Sequence, residues 1–409
     1  FYLLGSPFFW LSLLVPARFM PWMMVPLLCL KIALAGGGAY LWARRWVRDE
    51  EWSMVAGCLY AFSGFTVYNI FFNHFIDVVA LFPYMLASLD DAVLSGKKGR
   101  FPFWVAVNLL NNYFFFAGQA VFLVIYFFCM LAGRAYKIGP RKFAALAGET
   151  VLGCALGCVL LLPAGLSLLQ NPRTIDPFNG IGYLIYGKSQ QYGAIFYSAF
   201  LMPDAPYFKD MFSEGILKHT SLTAYLPVVG TAGGLAFCRG RRSHPFTYIL
   251  KVCIVCAFVP VLNSLFYALN SSYYARWYYM PVLVLCGATA SLLARPNLAR
   301  RELPRAWGLT LAVTLSAAAF GLVPYTDDDG VTTLGVTDEP ARFWAILGVT
   351  VLGLLLFGVL WHFFRDRQRW PTVLLAAVLA FSFVYGSVHL SLTKYAQWDT
   401  DSDLIAQTY

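Results

Sequence analysis

Three short blocks of this 409-residue chain carry the residue types that do chemistry, and each stands at the edge of an apolar run. The first is Tyr68-Asn69-Ile70-Phe71-Phe72-Asn73-His74-Phe75-Ile76-Asp77. His74 and Asp77 stand three positions apart, so one helical turn brings both side chains to one face. Such a pair can hold a metal, position a proton or receive a phosphate-bearing substrate. The plainer reading makes Asp77 a helix cap, accepting backbone N–H bonds at the start of the following helix. The second block runs from Asn108, Asn111 and Asn112 to Tyr113, Gly118 and Gln119. Positions 108, 111 and 112 share one helix face, and three amides there need partners. Those partners are either neighbouring helices or the groups of a substrate. The third block, Asn270-Ser-Ser-Tyr273-Tyr274-Ala-Arg276-Trp277-Tyr278-Tyr279-Met280-Pro281, sets one guanidinium among rings and hydroxyls. Tyr273 and Trp277 fit an aromatic belt. Arg276 is suited to a bidentate grip on phosphate.

What must position these blocks is a set of membrane helices. The chain is 59% hydrophobic and 12% charged, with a mean hydropathy of +0.62. A soluble domain carries roughly 25% charged residues, so lipid is the solvent that fits. The net charge of +9 is no mark of nucleic-acid binding, because most of the basic residues fall in short clusters between apolar runs. These are Arg44, Arg45 and Arg48; Lys97, Lys98 and Arg100; Arg134, Lys137, Arg141 and Lys142; Arg239, Arg241 and Arg242; Arg295, Arg300, Arg301 and Arg305; Arg365, Arg367 and Arg369. Cytosolic loops are expected to look like this.

Apolar runs, most of about 17–25 residues, then place spans at 22–42, 53–71, 78–94, 101–114, 117–133, 143–165, 221–237, 246–269, 279–294, 306–323, 342–361 and 371–391. The arms 101–114 and 117–133 are short for a span and read as short helices or a re-entrant hairpin. The fold class is all-α, a polytopic transmembrane bundle of about twelve spans. Residues 1–21, interrupted by Pro7, Pro16 and Pro21, are expected as interfacial helices closing an outer loop. A core with an outer turn at 72–77 covers 22–165, and its hairpin 101–133 has Tyr113 to Gly118 at the tip. A long outer loop at 166–220, a second helical group at 221–391 and an outer segment at 392–409 follow. Asp176, Asp204, Asp210, Glu214, Asp327, Asp328, Asp329, Asp338 and Glu339 all fall on the outer side, so the chemistry is expected there. The glycines at 36–38 read as a site of close helix packing. The nine cysteines sit in or beside apolar runs. Cys154 with Cys158, and Cys253 with Cys256, lack the His or acid that a metal site would add. The opening at Phe1, with no methionine or charged leader, reads as a fragment whose amino-terminal span lies upstream.

The stretches FSGFTVYNIFFNHFIDVVALFPYMLASLDD, NLLNNYFFFAGQAVFLVIYFF and YYARWYYMP resemble the YfhO-type bacterial membrane proteins, and YLLGSPFFWLSLLVP resembles the loop before that family's second span. The resemblance implies a GT-C-like membrane glycosyltransferase. Such an enzyme moves a sugar from a polyprenyl-phosphate carrier to an extracytoplasmic acceptor such as a teichoic-acid-type wall polymer. It implies a plasma-membrane location, and it implies an acid in each of the first two outer loops. Asp77 matches the second; the first has no counterpart here. The candidate set is Asp77 and His74 for catalysis. Asn73, Asn108, Asn111, Asn112, Gln119, Arg276 and Tyr279 are the candidates for substrate binding. A divalent metal is compatible with this chemistry, and no ligand set is assigned. The competing classes are a transporter or flippase of a lipid-linked sugar, which would thread polar groups across to the cytosolic side, and a scaffold of an envelope-assembly complex, which needs none of the three blocks.

Overall fold

A computed structural model of the chain describes residues 3–169, 182–206, 219–326, 332–337 and 339–395. The expected acids at 176, 210, 214, 327–329 and 338 lie outside these residues.

The architecture is a polytopic helical bundle, as the apolar runs require. Among the described residues seven helices are long and apolar enough to cross a bilayer singly: α2 (Met20–Val47), α5 (Phe75–Ser95), α7 (Tyr113–Ala132), α8 (Pro140–Leu169), α14 (Pro296–Ser316, continued by α15, Ala318–Leu322), α16 (Pro340–Phe364) and α17 (Trp370–Tyr395). They coincide with seven of the twelve expected spans. The other five take shorter or broken forms. Residues 53–71 become α3 (Glu50–Ala61) and α4 (Gly64–Tyr68), divided where Ser63 caps the second piece by accepting from Thr66 N–H. Residues 101–114 form the twelve-residue α6 (Arg100–Asn111), and 279–294 form the fifteen-residue α13 (Tyr279–Leu293). The run at 246–269 is bent by 106° between α11 (Pro245–Phe258) and Pro260–Tyr267, which contains α12 (Pro260–Ser264); counted as one span it makes an eighth. The run at 221–237 helps to build only α10 (Ala232–Gly240). Proline supplies one reason: Pro260 has no N–H to continue the ladder of α11.

α1 (Pro7–Ser12) and a 3₁₀ turn at Ala17–Phe19 precede α2, and α9 (Gln190–Tyr197) lies in the long loop. A short hairpin of β1 (Pro324–Thr326) and β2 (Thr332–Leu334) is antiparallel, pairing Tyr325 with Thr333. The glycines at 36–38 leave α2 unbroken. A Cβ at Gly38 would stand 2.7 Å from the Tyr84 ring, so α2 and α5 approach each other closely because no side chain intervenes there.

α5 is the pivot of the bundle. Seventeen of its residues are buried, from Phe75 to Val93. Phe82, near its middle, packs edge-on against Phe122 of α7 at 5.7 Å and Tyr279 of α13 at 5.4 Å. An aromatic layer therefore separates the two ends of the helix.

Candidate functional site

The site is built where α5 begins, at the end opposite the Lys97–Arg100 cluster. Asp77 lies in the first turn and is 2% exposed. Its carboxylate caps no backbone. Instead Lys31 of α2, itself 6% exposed, stands 2.6 Å from Oδ1, and Ser6 donates its hydroxyl to Oδ2 at 2.5 Å. The Lys31 ammonium also donates to the Asn73 carbonyl at 3.2 Å and to the Asn73 side-chain oxygen, and lies 5.4 Å from the centre of the Phe8 ring. Burying a charge is tolerated only when it is paired and hydrogen-bonded. Here one ammonium, one carboxylate, one amide and one hydroxyl supply each other. Ser6 does double duty, since its oxygen also accepts from Phe9 N–H and so starts α1. The chain just before α1 is wedged against α6: a Cβ at Gly5 would meet the Leu110 carbonyl at 1.7 Å. No residue but glycine fits there without backbone movement.

His74 stands at the N-cap position of α5 and stacks edge-on with Phe75 at 4.6 Å. Its imidazole is held below its ordinary range, first by burial and then by the positive charges of Lys31 and Arg276. His74 therefore feels both cations. Arg276 reaches this place from the segment before α13. Its guanidinium carbon lies 4.2 Å from the centre of the Tyr274 ring and 5.1 Å from that of Phe75, which is two residues from Asp77. Its backbone N–H donates to the Tyr267 hydroxyl at 2.6 Å, and its buried Nε has no hydrogen-bond partner. A guanidinium lying over aromatic faces with a donor to spare is prepared for an anion.

The amide block divides. Asn112 caps α7, its side-chain oxygen accepting from Phe114 and Phe115 N–H at 3.2 and 3.3 Å. The hairpin turns at Asn112 for that reason. Gly118 and Gln119 consequently sit inside α7, and the tip expected at 113–118 is displaced. Asn108 donates to the Trp104 carbonyl at 2.9 Å, leaving its oxygen unpartnered. Asn111, 3% exposed, has neither amide atom bonded. Gln119 donates to the Tyr279 hydroxyl at 2.9 Å. Tyr279 is enclosed by Phe65 at 5.5 Å and Phe82 at 5.4 Å, so this pair joins α7 to α13 in the core.

Asp77, Asn73, His74 and Arg276 thus gather at one end of α5, while Gln119, Tyr279 and Asn112 hold helices. Lys31 and Ser6 are the additions that sequence reasoning passed over. Lys31 carried a signal, because it is a lone charge inside the apolar run 22–42. Ser6 carried none. Among the described residues no three His, Cys, Asp or Glu side chains gather closely enough to hold a metal ion.

The family model described as "Bacterial membrane protein YfhO" matches residues 1–409. The chain belongs to the YfhO family. No curated protein matches it. Among solved structures it is similar to ArnT from Cupriavidus metallidurans bound to undecaprenyl phosphate, at 16% identity and a TM-score of 0.46. That match covers 90% of this chain and 62% of the ArnT chain, so this YfhO-family chain spans less than two thirds of that protein's length.

Proposed function

We propose that the protein is a GT-C-type glycosyltransferase of the plasma membrane. It moves a sugar from a polyprenyl-phosphate carrier to an extracytoplasmic acceptor such as a teichoic-acid-type wall polymer. The observation that carries this reading is the meeting of a buried acid, Asp77, with Lys31, while Arg276 rests on Phe75 in the same helical turn. In this reaction the acceptor oxygen attacks the anomeric carbon, the bond from that carbon to the carrier phosphate breaks, and the acceptor proton must be removed. Asp77 takes the proton as general base. Negative charge grows on the departing phosphate, and Arg276 and Lys31 face it from two sides. In this reading Asn73 and Asn111 bond sugar hydroxyls, Asn111 through two amide atoms that have no hydrogen-bond partner among the described residues. His74, kept neutral, offers a hydrogen bond without adding a third positive charge.

The transporter alternative calls for polar groups along a path between the two faces. On α5 the residues between Asp77 and Asp90 are apolar apart from Tyr84 and Ser88, and the Phe82–Phe122–Tyr279 layer closes the interval. That arrangement favours a site used from one face. The test is Asp77→Asn in the full-length protein, reconstituted with polyprenyl-phosphate sugar. Loss of a general base lowers transfer by about 10²–10⁴-fold, measured per folded, inserted molecule, because the variant also takes the carboxylate away from the buried Lys31 ammonium. Transfer at the wild-type rate would remove Asp77 from catalysis.

A further inference from the structure

A carrier whose phosphate sits at Arg276 must lead its isoprenoid chain away into the bilayer, and two apolar grooves among the described residues are large enough to receive it. One, of about 710 Å³, lies between α2, α3 and α17 and is lined by Ala33, Gly36, Tyr40, Gly57 and Cys58. At 100° per residue, Ala33, Gly36 and Tyr40 project from the side of α2 opposite Lys31. That groove therefore turns its back on the site. The other, of about 450 Å³, is walled by α10, α11 and α13 through residues such as Leu235, Ile254, Ala257, Val282 and Leu285. Its lining also includes Trp277 and Tyr278, the two residues that directly follow Arg276. It extends along α11 from Leu250 to Phe258, about 12 Å of helix.

We infer that this second groove binds the isoprenoid chain of the carrier next to its phosphate. Its walls are almost wholly apolar, so its occupant is a hydrocarbon. Its α11 wall carries Ile254, which is 58% exposed and turned outward, so a chain enters sideways from the bilayer. Its roof is α9, which contributes Ile195 and Phe196 and is fixed in place rather than draped. Gln191 donates to the Tyr273 carbonyl at 3.3 Å, Tyr186 to the Ala257 carbonyl at 2.8 Å, and Tyr192 stacks on Phe258 at 6.2 Å. Trp277, next in sequence to Arg276, is a buried wall of the groove, stacked on Phe266 at 4.0 Å and donating to Asn263 at 2.6 Å. A lipid held at Arg276 would pass Trp277 and lie against α11 and α13. This inference rests on the carrier reading above, and it adds where the carrier's chain is held.

The test uses the full-length protein in nanodiscs and a polyprenyl phosphate bearing a photoreactive diazirine in its isoprenoid chain close to the phosphate. Adducts are expected within residues 250–258 and 278–285. Ile254→Trp, which fills the mouth from its exposed side, should lower that labelling. It should also raise KM for a long-chain carrier about tenfold, the loss of roughly two methylenes of burial, and leave KM for a short-chain analogue unchanged. Adducts at 29–40 and 54–62, or equal labelling by a diazirine phospholipid that the carrier cannot displace, would overturn the tail site while leaving the carrier reading intact. Absence of both labelling and transfer would overturn both.

Discussion

The two ends of α5 bury acids in opposite ways. At one end Asp90, fully buried, accepts from the Tyr136 hydroxyl at 2.5 Å, Trp46 Nε1 at 2.8 Å and the Tyr126 hydroxyl at 3.0 and 3.2 Å. Its neighbour Asp91 takes both arms of Arg45, at 3.0 and 2.9 Å, with Lys97 and Arg100 at 3.8 Å. Both oxygens of Asp90 are held by side-chain donors that cannot easily leave. At the other end, thirteen positions and about 20 Å away, Asp77 has one ammonium and one hydroxyl, and around it Asn111 and the Arg276 Nε keep bonding capacity in reserve. A saturated buried acid ties helices together: Asp90 joins α5 to α2, to α7 and to the segment after α7. An incompletely satisfied one is ready for a ligand. Burial alone does not tell the two apart, because both acids are hidden from solvent. The inventory of partners does.

The sharpest way to break this contrast is to remove Lys31. Lys31→Met leaves the Asp77 carboxylate buried and unpaired, which costs about 3–5 kcal/mol, and the yield and melting temperature of the protein should fall accordingly. Adding Asp77→Asn to Lys31→Met should restore most of that stability without restoring transfer. A double variant no more stable than the single one would mean that the pair is not the unit described. Arg276→Gln comes next. The lost charged hydrogen bond is worth about 1.5–3 kcal/mol, so apparent carrier affinity should drop roughly ten- to hundredfold. Arg276→Lys should fall between, since the charge stays and the planar fork goes. Equal affinities in the three proteins, measured by carrier dependence of transfer, would take the guanidinium out of the site.

Asp90→Asn probes the saturated end and should show the converse phenotype. One weakened network costs about 1–2 kcal/mol, read as a lower melting temperature, while KM and kcat of the folded protein in the proposed transfer stay at wild-type values. A kinetic defect at constant stability would erase the distinction between the ends. The smallest effect belongs to His74. Its folded-state value lies below 6.5 because of burial, Lys31 and Arg276, so the unfolded chain binds the proton first as the pH drops. The stability His74 contributes is therefore complete above pH 6.5 and declines as the pH falls through that value towards the lower folded one. His74→Gln should flatten this acid slope in melting experiments, and an unchanged slope would exclude His74 as its source.

Much of the arrangement could be read before any coordinates. The three blocks, the seven long spans and the placement of basic clusters follow from local composition, and local composition is what a linear reading sees. The pairings do not follow. Gln119 and Tyr279 stand 160 positions apart, and their bond depends on how α7 meets α13. Ser6 is an ordinary serine until α1 folds back over Asp77. The breaks inside the runs 53–71 and 246–269 escaped for a different reason. A hydropathy window averages over about 19 residues, so it reads α3 with α4, or α11 with α12, as one continuous run although Ser63 and Pro260 interrupt them. The amide block misled in a third way. Asn112 belongs to a helix face by spacing, yet the N-cap position competes for such a side chain, and the cap prevailed.

The shortness of α6 has a consequence for the lipid around it. Twelve residues rise about 18 Å, well under the ~30 Å of a bilayer's hydrocarbon core. Where α6 borders the membrane, the surface must dip to meet its ends or water must follow the chain inward. Asn111 ends this helix, and Gly5, beside Ser6, is packed against it. The mismatch therefore falls beside the Asp77 cluster, and a carrier drifting into such a dimple descends towards that acid. Thicker bilayers would make the dimple costlier, so bilayer thickness becomes a variable of the proposed site.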